Sequence, residues 1–269
     1  MSVYVIAEIG SCHGGSLDKA KHLIQVAAEA GANAAKVQLF TADSLAERRG
    51  LSLEQVAPMR PLELPVDWLP VLKNRSNEMG LDFMCTAFDE WGLERVAEYV
   101  KYFKVSSFEM SDSAFLRAHD NYEQSVIFST GMATREEVVE AASNIAHLQA
   151  ALHCTSAYPA PIEEANLNAI TDMGVDCEVG LSDHSGDPLT AAVATALGAR
   201  WIEVHLRDID GSSPDDALHA LEPAAFKQMV SNVRCAESML GNGTKEVQKS
   251  EIASAQYRVR LSTSLRRGT

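Results

Sequence analysis

No CxxC pair occurs anywhere in the chain, and the five cysteines, at positions 12, 85, 154, 177 and 235, form an odd and irregularly spaced set. That excludes a disulfide scaffold as the basis of the fold. No apolar signal segment precedes "MSVYVIAEIG", and no apolar run is long enough to cross a membrane, so the expected compartment is a reducing cytoplasm. Basic charge is scarce: 23 Lys and Arg stand against 37 Asp and Glu, a formal net charge of -14. Non-specific binding to nucleic acid or to an anionic membrane is thereby disfavoured, and neither is expected as a partner. A small local pocket of lysines that holds an anion remains compatible with this balance. "SCHGG" lacks the lysine and the spacing of a phosphate-binding or dinucleotide-binding glycine loop.

What the chain does have is periodicity. With 46% hydrophobic and 22% charged residues over 269 positions, it has the composition of a soluble globular protein able to bury a sizeable core. Eight short strand-like runs occur: "VYVIAEI", "AAKVQLF", "DFMCT", "YFKVS", "SVIFST", "AALHC", "CEVGLS" and "WIEVHL", each followed by a helical candidate. The clearest helix is predicted over Leu17 to Ala30, with Ser16 as cap, an apolar face of Ala20, Leu23, Ile24, Ala27 and Ala30, and Gly31 as terminator. A capping box of Thr134 and Glu137 starts another. Eight β/α units with no composition break favour a closed (β/α)8 barrel, the TIM-barrel fold, over an open doubly wound sheet. The barrel is expected over residues 1–241, with a polar, basic extension over 242–269. The long connection containing "ERRGLSLEQVAPMRPLELP" is expected to act as a lid or interaction arm.

In such a barrel the chemistry gathers at the carboxyl ends of the strands. Polar residues collect there: Glu8 on the first strand, Lys36 and Gln38 on the second, Thr86 on the third and Lys104 and Ser106 on the fourth. Ser129 follows on the fifth, His153 and Thr155 on the sixth, Ser182 and His184 on the seventh, and Glu203 and His205 on the eighth. The side-chain period of two puts Lys36 with Gln38, Lys104 with Ser106, and Glu203 with His205 on shared faces. Two lysines ringed by the hydroxyls of Thr86, Ser129 and Ser182 suit a bound phosphate or carboxylate. His184 and His205, on adjacent strands, are a candidate pair of ligands for one divalent metal. His22, His119, His147 and His219 lie in helical or loop segments and are expected at the surface. Cys12 and Cys85 lie near the mouth without an assignable base, and neither is expected to be a nucleophile.

The runs "IAEIGSCHGGSLDKAKHLIQVAAEAGANAAKVQ", "FSTGM", "LHCTSAYPAP", "VGLSDHS" and "GARWIEVHL" together resemble the sialic acid synthase family, the phosphoenolpyruvate-dependent synthases of N-acetylneuraminic, legionaminic and pseudaminic acids. The resemblance covers roughly the first 240 residues in order. It implies a (β/α)8 barrel that condenses phosphoenolpyruvate with an open-chain N-acetylated amino sugar, resembling N-acetylmannosamine, to give a 2-keto-3-deoxy sugar acid and phosphate. It further implies that Lys36, Thr86, Lys104, Ser107, Ser129 and Ser182 hold phosphoenolpyruvate and that His184 and His205 bind a divalent metal, Mn2+ or Mg2+. Glu8, in the "EIG" motif, is the implied catalytic carboxylate, and Glu109, Tyr158 and Asp215 match positions that contact the sugar. A homodimer is the implied assembly.

The chain departs from the family pattern on the acceptor side. The usual "NHNG" or "NHEG" turn is "SCHGG" here, with Cys12 in place of an asparagine, and "GSGE" becomes Ser106, Ser107, Phe108 and Glu109. Val204 replaces a basic residue, and "RDIDGSSPDDALHALEP" follows the "GPDH" loop only loosely. The small C-terminal antifreeze-like domain, which supplies an arginine to the partner's sugar site, is expected to be missing. Arg258, Arg260, Arg266 or Arg267 of the tail, or a separate chain, are the expected substitutes. Phe108 and that difference also motivate one alternative, another aldehyde acceptor for the same chemistry; a second alternative, a non-catalytic barrel subunit, has the retained Lys, Ser and His set against it.

Overall fold

The computed structural model describes residues 2–209 and 218–259. Eight parallel strands close in sequence order into a barrel: β1 (Tyr4–Gly10), β2 (Ala34–Leu39), β3 (Asp82–Ala87), β4 (Phe103–Val105), β5 (Val126–Ser129), β6 (Leu148–Cys154), β7 (Glu178–Asp183) and β8 (Trp201–His205). All eight expected strands are present, and β8 pairs back onto β1, Tyr4 opposite Trp201 and Glu8 opposite His205. The fold is therefore the (β/α)8 barrel.

Helices cover the outside: α1 (Leu17–Ala30), α2 (Ala42–Arg49), α3 (Leu53–Val56), α4 (Trp68–Glu78), α5 (Glu90–Val96), α6 (Ser113–Ala118), α7 (Arg135–Ser143), α8 (Thr190–Ala196) and α9 (Pro223–Leu240). α1 has the predicted bounds, because Ser16 accepts from the Lys19 amide at one end and Gly31 closes the other in the left-handed conformation. The predicted capping box opens α7. One expected helix is absent: between β6 and β7 the chain forms two 3-10 turns, Ile162–Glu164 and Leu167–Asp172. Pro159 and Pro161 withhold amide donors there, and Asn166 takes a positive φ of 40°, which an α-helix cannot absorb.

Two cores result. The larger lies between strands and helices and includes Leu23, Phe83, Phe103, Phe128 and Phe226. The smaller fills the barrel itself with Ile6, Ala34, Met84, Ile127, Ala150, Leu152 and Trp201. Below it, Tyr4, Tyr102 and Trp201 pack ring against ring, with centroids 4.5–5.9 Å apart, and close the bottom. Since alternate residues face inward, the positions two further along each strand must form the layer above this plug: Glu8, Lys36, Thr86, Lys104, Ser129, Ser182 and Glu203.

The long connection after β2 folds as an arm. α2, α3 and a 3-10 turn at Ala57–Leu62 enclose two small clusters of their own, Phe40 with Leu45, Leu62 and Phe88, and Ala42 with Ala46 and Val56. The arm rests on the turn after β1, where Gly15 has a φ of +75° and a Cβ would stand 2.8 Å from the Pro61 carbonyl oxygen. Only glycine permits that approach. Beyond α9 the residues described from 242 to 259 are exposed, with one short helix, Ile252–Ala255. No helix among the described residues is long and apolar enough to cross a membrane.

Candidate active site

A cavity of about 170 Å³ opens at the carboxyl ends of the strands, with the layer above the plug as its floor. Lys36 is the hub of one side. Its Nζ lies 2.7 Å from Glu8 Oε2, donates to Thr86 Oγ1 at 2.8 Å and stands 3.7 Å from Glu203 Oε2. Lys104 is the hub of the other: its Nζ donates to Ser129 Oγ at 2.7 Å and lies 3.7 Å from Glu203 Oε1. Ser182 donates to the same Glu203 oxygen at 3.4 Å, and Gln38 donates to Glu8 Oε1 at 2.6 Å. Glu203 thus bridges two lysines that come from different strands.

Burial sets the charge states. It pushes the Glu8 carboxyl up to about 7, with Lys36 opposing and Glu203 adding to the rise. Burial pushes Glu203 the same way, but Lys104 and Lys36 outweigh it and hold that carboxyl below its ordinary range. Lys36 is raised despite burial, because Glu203 and Glu8 both face it, whereas burial dominates at Lys104 and lowers it. The ammonium groups of the two lysines and the hydroxyls of Thr86, Ser129 and Ser182 give the floor the donors that suit an anion.

His184 and His205 stand at the rim of this floor, ring centroids 5.3 Å apart. His184 Nδ1 lies 3.0 Å from the Thr155 carbonyl oxygen, which turns its Nε2 toward the opening. Burial holds His205 well below the ordinary imidazole range, in the neutral form that ligates metals. No group of three or more His, Cys, Asp and Glu among the described residues is arranged to hold a metal ion. The donor set therefore fits a divalent ion only if water and substrate oxygens complete the coordination sphere.

The structure brings Glu8, Lys36, Thr86, Lys104, Ser107, Ser129, Tyr158, Ser182, His184 and His205 into one cavity wall. Ser107 accepts from the Gly131 amide at 3.0 Å, and a Cβ on Gly131 would lie 2.9 Å from that hydroxyl and 2.0 Å from Ser156 Oγ. Tyr158 packs on His184 at 4.3 Å. Glu109 is buried just behind the wall, held by Ser106 and Arg49. Asp215 lies outside the described residues, as do Arg260, Arg266 and Arg267, while Arg258 is exposed in the tail.

Four expectations need correction. His153 lies at a strand end but faces outward, its Nε2 2.8 Å from the Ala165 carbonyl oxygen, because Leu152 and Cys154 take the inward positions of β6. Thr155 faces the same outer segment, donating to the Glu164 carbonyl. His219 is not at the surface: it is buried at the mouth, 4.4 Å from the His205 ring and 5.6 Å from that of His184. His119 is buried too, packed between Phe103 and Phe115. Arg49 and Phe88 of the cavity wall carried no signal in the strand pattern, since they are brought in by the folded arm and the start of the next loop.

The NeuB family model matches residues 23–245. The N,N'-diacetyllegionaminic acid synthase of Legionella pneumophila is 33% identical over 99% of this chain and 81% of its own length. A pseudaminic acid synthase of Campylobacter jejuni is 32% identical over 93% and 78%. The crystal structure of the N-acetylneuraminic acid synthetase of Leptospira borgpetersenii, in complex with citrate, superposes with a TM-score of 0.89 at 33% identity, covering 100% of this chain and 94% of that one. With its barrel, its floor of paired lysines and carboxylates and these relatives, the chain belongs to the NeuB family, the family of the sialic acid synthases.

Proposed function

We propose that this cavity joins phosphoenolpyruvate to an open-chain N-acetylated amino sugar, N-acetylmannosamine or a close analogue, and releases phosphate. The observation that carries the reading is the floor: two buried lysines of separate strands, each hydrogen-bonded to a hydroxyl and bridged by one carboxylate. Lys36, Lys104, Thr86, Ser107, Ser129 and Ser182 then hold the phosphate and carboxylate of phosphoenolpyruvate. Its C3 attacks the aldehyde carbon, water adds to C2, and the tetrahedral intermediate expels phosphate to leave the 2-keto acid. Glu8, poised near neutrality, accepts the proton of that water. His184 and His205 would hold a divalent ion, manganese or magnesium, whose chemistry is Lewis-acid polarisation of the aldehyde oxygen. Tyr158 and Glu109 bound the acceptor side.

The test is phosphate release from phosphoenolpyruvate with manganese across N-acetylmannosamine and a panel of other aldoses, with mass spectrometry of the product. Release that requires both substrates is the expected result. Release only with a different aldehyde would redirect the acceptor, and none with any aldehyde would remove the reading. Metal content is measured separately: His205→Ala is expected to purify without the ion, and unchanged content would strike His205 from the ligand set.

A further inference from the structure

The last turn of α2 carries two adjacent arginines that go different ways. Arg48 stays on the outside, 2.7 Å from Asp112 and over the Phe115 ring. Arg49 turns into the cavity wall. One of its terminal nitrogens donates to Glu109 Oε1 at 2.7 Å, while Ser106 donates to the other oxygen of that carboxylate. The guanidinium carbon lies 4.5 Å from the centre of the Phe108 ring and 5.6 Å from that of Phe88. Its Nε is buried and has no hydrogen-bond partner among the described residues.

These contacts fix the orientation of a rigid fork of five N–H donors, of which one is engaged by Glu109. The buried Nε is out of a ligand's reach, but the side chain is partly exposed and lines the cavity, so the donors a ligand oxygen can meet are those of the terminal nitrogens. The choice of ligand follows from charge and depth. The side chains of Lys36 and Lys104 are 3% and 2% exposed, whereas that of Arg49 is 22% exposed, so Arg49 serves the outer part of the cavity and not its floor. Glu109 already neutralises its charge. A neutralised guanidinium donates well to a hydroxyl or carbonyl oxygen and has little surplus to offer a second full anion.

We propose that Arg49 is a specificity-determining residue: it donates directly to a neutral oxygen of the acceptor sugar, with Glu109 and Phe108 setting the angle of its fork. The proposal rests on the condensation reading above, and it assigns sugar contact to a residue of the arm. It also makes Glu109 the holder of the contact.

The test uses Arg49→Met and Arg49→Lys in the full chain, assayed for phosphate release with phosphoenolpyruvate, manganese and N-acetylmannosamine, and for phosphoenolpyruvate binding by calorimetry. Arg49→Met is expected to raise KM for the sugar about 10- to 100-fold while the Kd for phosphoenolpyruvate stays within about twofold. Arg49→Lys keeps the charge beside Glu109 but not the second donor direction, so it should lose the same sugar affinity, and its closer size guards against a misfolded methionine variant. Full rescue by lysine, an unchanged sugar KM, or a parallel loss of phosphoenolpyruvate affinity would each overturn the proposal. An active wild type with unaffected Arg49 variants defeats this inference alone. A wild type silent with every aldose defeats the condensation reading, and this inference with it.

Discussion

Glu8 faces Lys36, Gln38 and Glu203 inside the barrel, and its carboxyl near pH 7 makes it the group whose state changes in the working range. If it takes the proton from water, kcat should fall along an acid limb centred near 7, and Glu8→Gln should lower kcat by about 100- to 10,000-fold and abolish that limb. The same shift has a stability consequence of defined sign. Folding raises the Glu8 pKa, so its contribution is complete below the unfolded value of 4.5 and is lost as pH rises through about 7. Melting curves should therefore show Glu8→Gln gaining on the wild type at about pH 8 relative to its standing at about pH 4.5. Lys36→Met takes the ion-pair partner from Glu8 and leaves Glu203 with Lys104 alone, and urea denaturation should register a loss of about 3–5 kcal/mol. Its stability at neutral pH matching the wild type would mean that the buried carboxylates are solvated by some other route.

At the scale of elements, the arm meets the turn after β1 at an approach that a single atom can disturb. Gly15→Ala would drive a Cβ against the Pro61 carbonyl and force a positive φ on alanine. The expected outcome is faster tryptic cleavage at Arg48 or Arg49 with little change in the barrel's circular dichroism; cleavage at the wild-type rate would show that the arm does not depend on this approach. Elements of this kind also mark how far the sequence could be read. The short apolar strand runs and α1, with a cap at each end, were legible because strand composition, helical period and capping are local properties. So was the floor, since knowing the period and the closure places Lys36, Lys104 and Glu8 in one layer. His153 was misplaced because a strand end does not say which parity faces in, and Leu152 and Cys154 decide that. Arg49 and His219 were invisible because they reach the mouth through the packing of whole connections, which no local pattern encodes.

For the molecule as a whole, a net charge of -14 surrounds a site read as binding an anion. The global field then repels phosphoenolpyruvate while the buried lysines, poorly screened, attract it at close range. Stopped-flow binding should show the association rate constant rising with added salt, and a steep fall would mean that exposed cations steer the ligand instead. α9 ends before residue 242, and the residues described from there to 259 are exposed, so deleting 242–269 should leave Tm unmoved. Loss of turnover at unchanged Tm would give the tail arginines a part in the reaction. The pairing of β1 with β8 has one more consequence. Glu8 leaves the ribosome about two hundred residues ahead of its partners Glu203 and His205. During synthesis the carboxylate waits without its neighbours, and the same pairing that closes the wall assembles the site, so a ribosome stalled before β8 carries a chain that has neither.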